Sequence, residues 1–196
     1  MAENIHAIET IYDGYRFRSR LEARWAVYFH ESGIPYVYEQ EGFVLSNRKY
    51  YLPDFYLPWF DSYVEIKPSY MNEEDEKVAR NNLELMWASN ACSKVMIFFG
   101  DPLDDEKELF CIKGHDNKHE WVRFEFLEGC WYDDDNYGTT KHWVSINVFG
   151  EPDEFYRASV RDEDLYPSMA NVSSYRSNFD YAKQKARQAR FEHGGE

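Results

Sequence analysis

Three ionisable residues stand out in YYLPDFYLPWFDSYVEIKPS, residues 50–69, because their neighbours are almost all aromatic or aliphatic. Asp54 follows Pro53, and Glu65 and Lys67 lie two positions apart. Charge is costly among apolar strands unless it is paired or used. Side chains alternate along a strand, so Glu65 and Lys67 share one face while Val64 and Ile66 share the other. On the preceding run, Asp54 shares a face with Leu52 and Tyr56. Paired as a hairpin, the two runs bring Asp54 towards Glu65, with Lys67 one step along. Two hard carboxylates so placed repel unless a cation lies between them. Mg²⁺ suits such a pair, since it keeps several waters and takes only one or two protein carboxylates; Mn²⁺ is a natural substitute. A lysine beside them can stabilise negative charge on a phosphate or help activate water. These are the parts needed for metal-assisted phosphodiester hydrolysis.

The same residues have a plainer reading. Asp54 can begin a turn, and Glu65 with Lys67 can form a solvated ion pair on one strand face. A bare PD followed by ExK arises often by chance, so the elements around the motif decide its weight.

Those elements are legible. Residues 16–32 place Phe17, Leu21, Trp25, Tyr28 and Phe29 at helical spacing, and Gly33 with Pro35 ends the run. Three strand-like runs follow, Tyr36–Leu45, Tyr50–Leu57 and Ser62–Lys67, separated by turn signals at Ser46–Asn47 and Pro58–Asp61. Residues 73–91 predict a second helix opened by the acids Glu73–Glu76, which complement a helix N-terminus. KVMIFFG, residues 94–100, predicts a strand buried on both faces. The order is helix, three-strand meander, helix, strand.

Beyond Gly100, LFCIK (109–113), WVRFEFL (121–127) and HWVSINVF (142–149) predict further strands that either extend the sheet or form an appendage. Residues 150–172 read as irregular, and residues 173–192 as a terminal helix. The expected fold class is therefore α/β: a core over residues 1–100, then a β-rich acidic extension and C-terminal helix over residues 101–196, packed on that core.

This arrangement resembles the PD-(D/E)xK nucleases, the restriction-endonuclease-like superfamily. Pro53–Asp54 matches the PD, and Glu65–Ile66–Lys67 matches the (D/E)xK. The resemblance implies that Asp54 and Glu65 bind the catalytic divalent metal, that the carbonyl of Ile66 adds a ligand, and that Lys67 assists at the phosphate. YRFRSRLEARWAVYF, YVYEQEGFVL and YLPDFYLP together look like phage-encoded nucleases of this superfamily and like TnsA-type transposon-end endonucleases. The latter use a glutamate on the first helix, the place Glu22 holds here. The closing ARQARFEHG also looks like the end of those phage proteins, whereas residues 101–165 carry no shared motif. Glu22 has a second reading, since Ser19-Arg20-Leu21-Glu22 is also a capping box. Arg18, Arg20 and Arg24 on or before that helix, with Arg48 and Lys49, are candidates for holding phosphates, although a solvated basic face accounts for the arginines equally well.

Composition bounds the rest. The 196 residues include 16 Tyr and 14 Phe, a richness that argues for a folded chain. No apolar run approaches a membrane span, and MAENIHAIET lacks a signal-peptide core, so a cytoplasmic protein is expected, in the host cytoplasm if phage-encoded. Three cysteines fit reduced thiols. Cys111, His115, His119 and Cys130 offer two sulfurs and two nitrogens, but their spacing matches no zinc signature and a polar hairpin loop accounts for them; zinc is not expected. Glu39 and Glu41 read as exposed strand charges or extra acids.

The net charge of -14 is concentrated in residues 71–166, which hold 10 Lys/Arg against 23 Asp/Glu. That disfavours a protein that coats nucleic acid non-specifically, yet permits a locally basic site. DNA is the expected substrate, with RNA or a small nucleotide open to the same chemistry. The competing class is an interaction protein on a nuclease fold, whose acidic surface imitates nucleic acid and binds a defence or nucleic-acid-binding protein.

Overall fold

In the computed structural model the described residues are 9–104, 107–115, 118–133, 139–148, 155–158, 178–189 and 191–193. They form a mixed α/β fold with three α-helices and a mixed sheet. A short N-terminal hairpin, β1 (Thr10–Tyr12) and β2 (Tyr15–Phe17), leads into α1 (Arg20–Glu31). Next come β3 (Val37–Tyr38), β4 (Phe43–Val44), β5 (Tyr50–Tyr51), β6 (Phe55–Leu57), a 3₁₀ turn (Pro58–Phe60) and β7 (Ser62–Lys67). The second helix, α2 (Glu73–Trp87), precedes β8 (Lys94–Phe99). The remainder is β9 (Glu108–His115), β10 (Lys118–Asp133), β11 (Thr139–Val148), β12 (Phe155–Ala158), α3 (Asn178–Gln188) and β13 (Glu192–His193).

One eight-stranded sheet runs β12-β11-β10-β9-β8-β7-β6-β3. Only β7 and β8 pair in parallel, Ser62 against Lys94 through Lys67 against Phe99, because α2 supplies the crossover between them. The sheet continues across Gly100 through antiparallel β8–β9 pairing, so the acidic C-terminal half extends the sheet. β13 also pairs on β1, Thr10 opposite His193 and Ile11 opposite Glu192.

Alternation sorts the core into two layers. Val64, Ile66, Met96 and Phe98 face α1 and α3, joining Trp25, Phe29 and Ala182. Tyr63, Val95, Ile97 and Phe99 face α2, joining Ala79, Leu83 and Met86. Arg80 of α2 lies over Phe99, Phe110 and Trp121 at 5.4, 4.6 and 4.9 Å from the ring centroids, a cation–π clamp on this side.

Several expectations need correction. The first helix begins at Arg20, because Tyr15–Phe17 pair with β1 and Ser19, in extended conformation, accepts the Glu22 N–H as N-cap. The run 36–45 divides at Glu39, whose φ of 46° no strand sustains, and the run 50–57 divides at Pro53–Asp54. Their outer halves leave the main sheet and pair as the separate hairpin β4–β5. The second helix stops at Trp87, and the terminal helix, described from Asn178, ends at Gln188, while residues 173–177 lie outside the described residues. The stretch read as irregular contains β12, whose Phe155–Ala158 pair with β11.

The end of β7 is tied to α1 through Gly100. Its N–H donates to the Lys67 carbonyl at 2.9 Å, and its carbonyl accepts the Trp25 indole N–H at 3.0 Å. Gly100 has φ of 89°, a conformation glycine adopts at little cost. Trp25→Phe keeps the ring against Phe98 but leaves the buried Gly100 carbonyl without that donor. The variant is expected to lose about 1–3 kcal/mol of stability, read by urea denaturation; an unchanged midpoint and slope would show that the bond holds nothing.

Candidate active site

The β6–β7 register brings the motif together. Phe55 opposes Val64, so one further step places Asp54 opposite Glu65, on the face shared with Tyr56 and Tyr63. Asp54 and Glu65 are both buried, at 2% and 6% exposure. Because β6 begins only at Phe55, the strand edge of β7 beyond it is open to the Asp54 side chain. The Ile66 N–H donates to Asp54 Oδ2 at 2.7 Å. In a strand the N–H and C=O of one residue point to the same side, so the Ile66 carbonyl also faces the Asp54 edge.

The remaining carboxylate oxygens are taken by cations and a phenol. Arg18 Nη2 donates to Asp54 Oδ1 at 2.6 Å, while its Nε reaches Glu39 at 2.8 Å. Lys67 Nζ donates to Glu65 Oε1 at 2.5 Å, and the buried Tyr51 hydroxyl donates to Glu65 Oε2 at 2.7 Å. Burial, then the charges of Glu65 and Glu22, push the Asp54 pKa well above the usual carboxylate range, against the pull of Lys67 and the Ile66 N–H. Burial opposes the charge on Lys67, but Glu65 and Asp54 outweigh it and hold the ammonium above its ordinary pKa. Arg18 is held charged in the same way, burial being outweighed by Asp54, the Tyr38 hydroxyl, Glu22 and Glu39.

Glu22 lies at the start of α1 and serves its cap. One oxygen accepts from Ser19 Oγ at 2.7 Å; the other accepts from the Tyr38 hydroxyl at 2.6 Å and from the Arg18 N–H at 3.1 Å. The capping-box reading therefore has its bonds, with the reach back made to Arg18 rather than to the N-cap residue itself. Glu22 also fixes the backbone from which Arg18 reaches Asp54. Among the described residues no three His, Cys, Asp or Glu side chains gather closely enough to cage a metal. The donors that could take a divalent ion are Asp54, Glu65 and the Ile66 carbonyl; in the structure Arg18 and Lys67 neutralise the two acids.

The expected phosphate-binding cations fall into two groups. Arg18 is engaged by Asp54 and Glu39, and Arg24 pairs with Asp101. Arg20 is exposed in the first turn of α1, and Arg48 and Lys49 are exposed in the β4–β5 turn. Glu41 accepts from the Tyr63 hydroxyl at 2.6 Å. Tyr51 and Tyr38, which bind two of the acids, were not singled out by sequence reasoning. The signal for Tyr51 was its place three residues before Asp54 in an aromatic strand run, too common a pattern to single out.

Cys111 opposes Val122 on β10, and Cys130 lies eight residues further along that strand, on the order of 27 Å away. The side chains of His115 and Cys130 lie outside the described residues. A cleft of about 830 Å³ opens beyond Lys67, lined by Ser69, Glu76, Phe99, Asp104, Glu108 and Arg123 among others; it is acidic and contains none of the motif residues. No helix among the described residues is long and apolar enough to cross a membrane. No protein-family model, curated protein or solved structure matches the chain.

A raised Asp54 pKa means that the native state binds more protons than the unfolded chain between the ordinary carboxylate value and the raised one. Stability contributed by Asp54 is therefore highest below about pH 4 and falls as pH rises through that window. In metal-free buffer, Asp54→Asn is expected to flatten the decline of unfolding free energy with rising pH. Parallel pH profiles for the two proteins would show that Asp54 ionises as freely folded as unfolded.

Proposed function

We propose that this protein is a metal-dependent endonuclease with a restriction-endonuclease-like core, cutting DNA and of phage or mobile-element origin. The observation that carries this reading is the burial of Asp54 opposite Glu65, with Lys67 on one acid and the Ile66 N–H on the other. Two buried like charges are a costly arrangement to keep unless a cation uses them. The element order α1, the β3–β6–β7 meander, α2 and β8 also agrees with the order the resemblance implies.

In this reading Asp54, Glu65 and the Ile66 carbonyl would hold Mg²⁺, or Mn²⁺ in its place, which would supply Lewis-acid charge at a scissile phosphate. Lys67, kept protonated by Glu65, offers its ammonium to the phosphate as a positive charge rather than acting as a base. Arg18 neutralises Asp54 in the structure, a role that a divalent cation held there would share. Glu22 acts as a positioning residue, holding Tyr38 and the Arg18 backbone, instead of contributing a ligand.

The acidic cleft favours one second reading, a protein that binds a basic segment of a partner while keeping this fold. Its lining carboxylates Glu76, Asp104 and Glu108 suit lysine or arginine side chains and repel phosphates.

Thermal melts with and without Mg²⁺, alongside cleavage of linear, supercoiled and single-stranded DNA and of RNA, separate the two. A ligand that binds only the folded state raises the melting temperature by mass action. Wild type is expected to be stabilised by Mg²⁺ and to cleave, whereas Asp54→Asn gains little from Mg²⁺ and is inactive. Lys67→Ala keeps most of the metal effect and loses turnover by about 100-fold or more. Equal Mg²⁺ stabilisation of wild type and Asp54→Asn would remove the metal site, and the interaction-protein reading would take over.

A further inference from the structure

The hairpin β4–β5 leaves the main sheet and carries unused binding chemistry on its outer face. Val44 and Tyr50 oppose each other across it, and both are exposed, at 76% and 69%. These are unusual values for large apolar side chains placed side by side. The inner face is buried: Leu45 and Tyr51 join the α2-side core, and Phe43 packs edge-on against Tyr63 at 5.1 Å. The turn has a defined shape, with the Leu45 N–H bonded to the Lys49 carbonyl, the Arg48 N–H to the Leu45 carbonyl, and the Lys49 N–H to Asn47 Oδ1.

Two further observations say what this face receives. Arg48 and Lys49 project from the turn, and among the described residues neither side chain makes an ion pair, in contrast to Arg16, Arg18, Arg24, Arg80 and Arg123. A methyl group added at Gly42 would lie 1.9 Å from the Tyr50 hydroxyl oxygen, so the end of the Tyr50 ring rests over the Gly42 backbone while the side chain remains exposed. A braced aromatic ring beside unneutralised cations matches a nucleic acid strand, whose bases stack and whose phosphates need positive charge.

We infer that the β4–β5 hairpin is a single-strand DNA contact in which Tyr50 stacks on a base while Arg48 and Lys49 hold the flanking phosphates. The inference rests on the nuclease reading for its biological sense and adds the strand-binding element to it. Strand alternation makes it local to the candidate site: Tyr50 faces outward, and the next residue, Tyr51, faces inward and bonds Glu65. A base on Tyr50 is thus one residue removed from a side chain that holds a catalytic acid.

The test measures binding of a fluorescent single-stranded oligonucleotide to the full chain in metal-free buffer across a range of salt. Tyr50→Ala is expected to weaken binding about tenfold with an unchanged salt slope. Arg48→Ala and Lys49→Ala should each flatten the slope of log affinity against log salt by about 0.7. Tyr50→Phe, which keeps the ring, should bind as wild type does. Wild-type affinity and slope in Tyr50→Ala and in the Arg48→Ala/Lys49→Ala double variant would overturn the inference. So would sedimentation showing a concentration-dependent dimer abolished by Tyr50→Ala, which would assign the face to a second copy of the chain. Cleavage with Mg²⁺, assayed separately, keeps the two readings distinct. Hairpin-dependent binding without wild-type cleavage would support the contact and remove the nuclease, whereas cleavage unaffected by the hairpin variants, with unchanged binding, would remove the contact alone.

Discussion

Asp54 and Glu65 are forced together, out of water, by the pairing of β6 with β7, and much of the surrounding structure answers that repulsion. Each carboxylate has one oxygen on a cation, Arg18 or Lys67, and the other on a fixed N–H or O–H donor, Ile66 or Tyr51. Neither cation is mobile in origin. Lys67 lies two residues from Glu65 on the same strand face, and Arg18 is held by its own backbone N–H, which donates to both Glu22 and Tyr38. The acids are tolerated because positive charge is within reach on two sides.

That requirement gives the first helix a role beyond packing. Trp25, Phe29 and Ala26 bury its apolar stripe against one face of the sheet, while its N-terminus projects Arg18 round to Asp54. Trp25 is bonded to Gly100, which is bonded to the Lys67 carbonyl, so the helix and the end of the motif strand are held in one frame. Ser19 and Glu22 then fix where the helix starts.

Charge is distributed on the same logic. Arg18 and Arg24 are engaged by acids, whereas among the described residues Arg48 and Lys49 of the hairpin turn are exposed and make no ion pair. Among the described residues the acidic cleft lies beyond Lys67, while Arg48 and Lys49 extend on the hairpin.

Much of this was legible in the chain. Helical spacing from Leu21 to Phe29, alternation in Ser62–Lys67 and the apolar run 95–99 are local patterns, and local patterns follow from backbone geometry alone. The pairing of Asp54 with Glu65 was also readable, because strand alternation and a short turn at Pro58–Asp61 fix which faces meet. Other features were decided only when distant segments came together. Nothing around Tyr36–Leu45 reveals that it will divide at Glu39 and donate half to a separate hairpin, since the left-handed conformation there depends on where β6 can accept β3. Residues 155–158 have too little periodicity to read as a strand, and only the free edge of β11 makes them one. Arg18 meeting Asp54 spans 36 residues, and Tyr51 meeting Glu65 spans 14. The sequence by itself determined which side chains could carry the chemistry, because residue type and spacing are written in it. Tertiary structure decided which cations those acids consume and which remain free, because charge neutralisation depends on distance in space and not on separation along the chain.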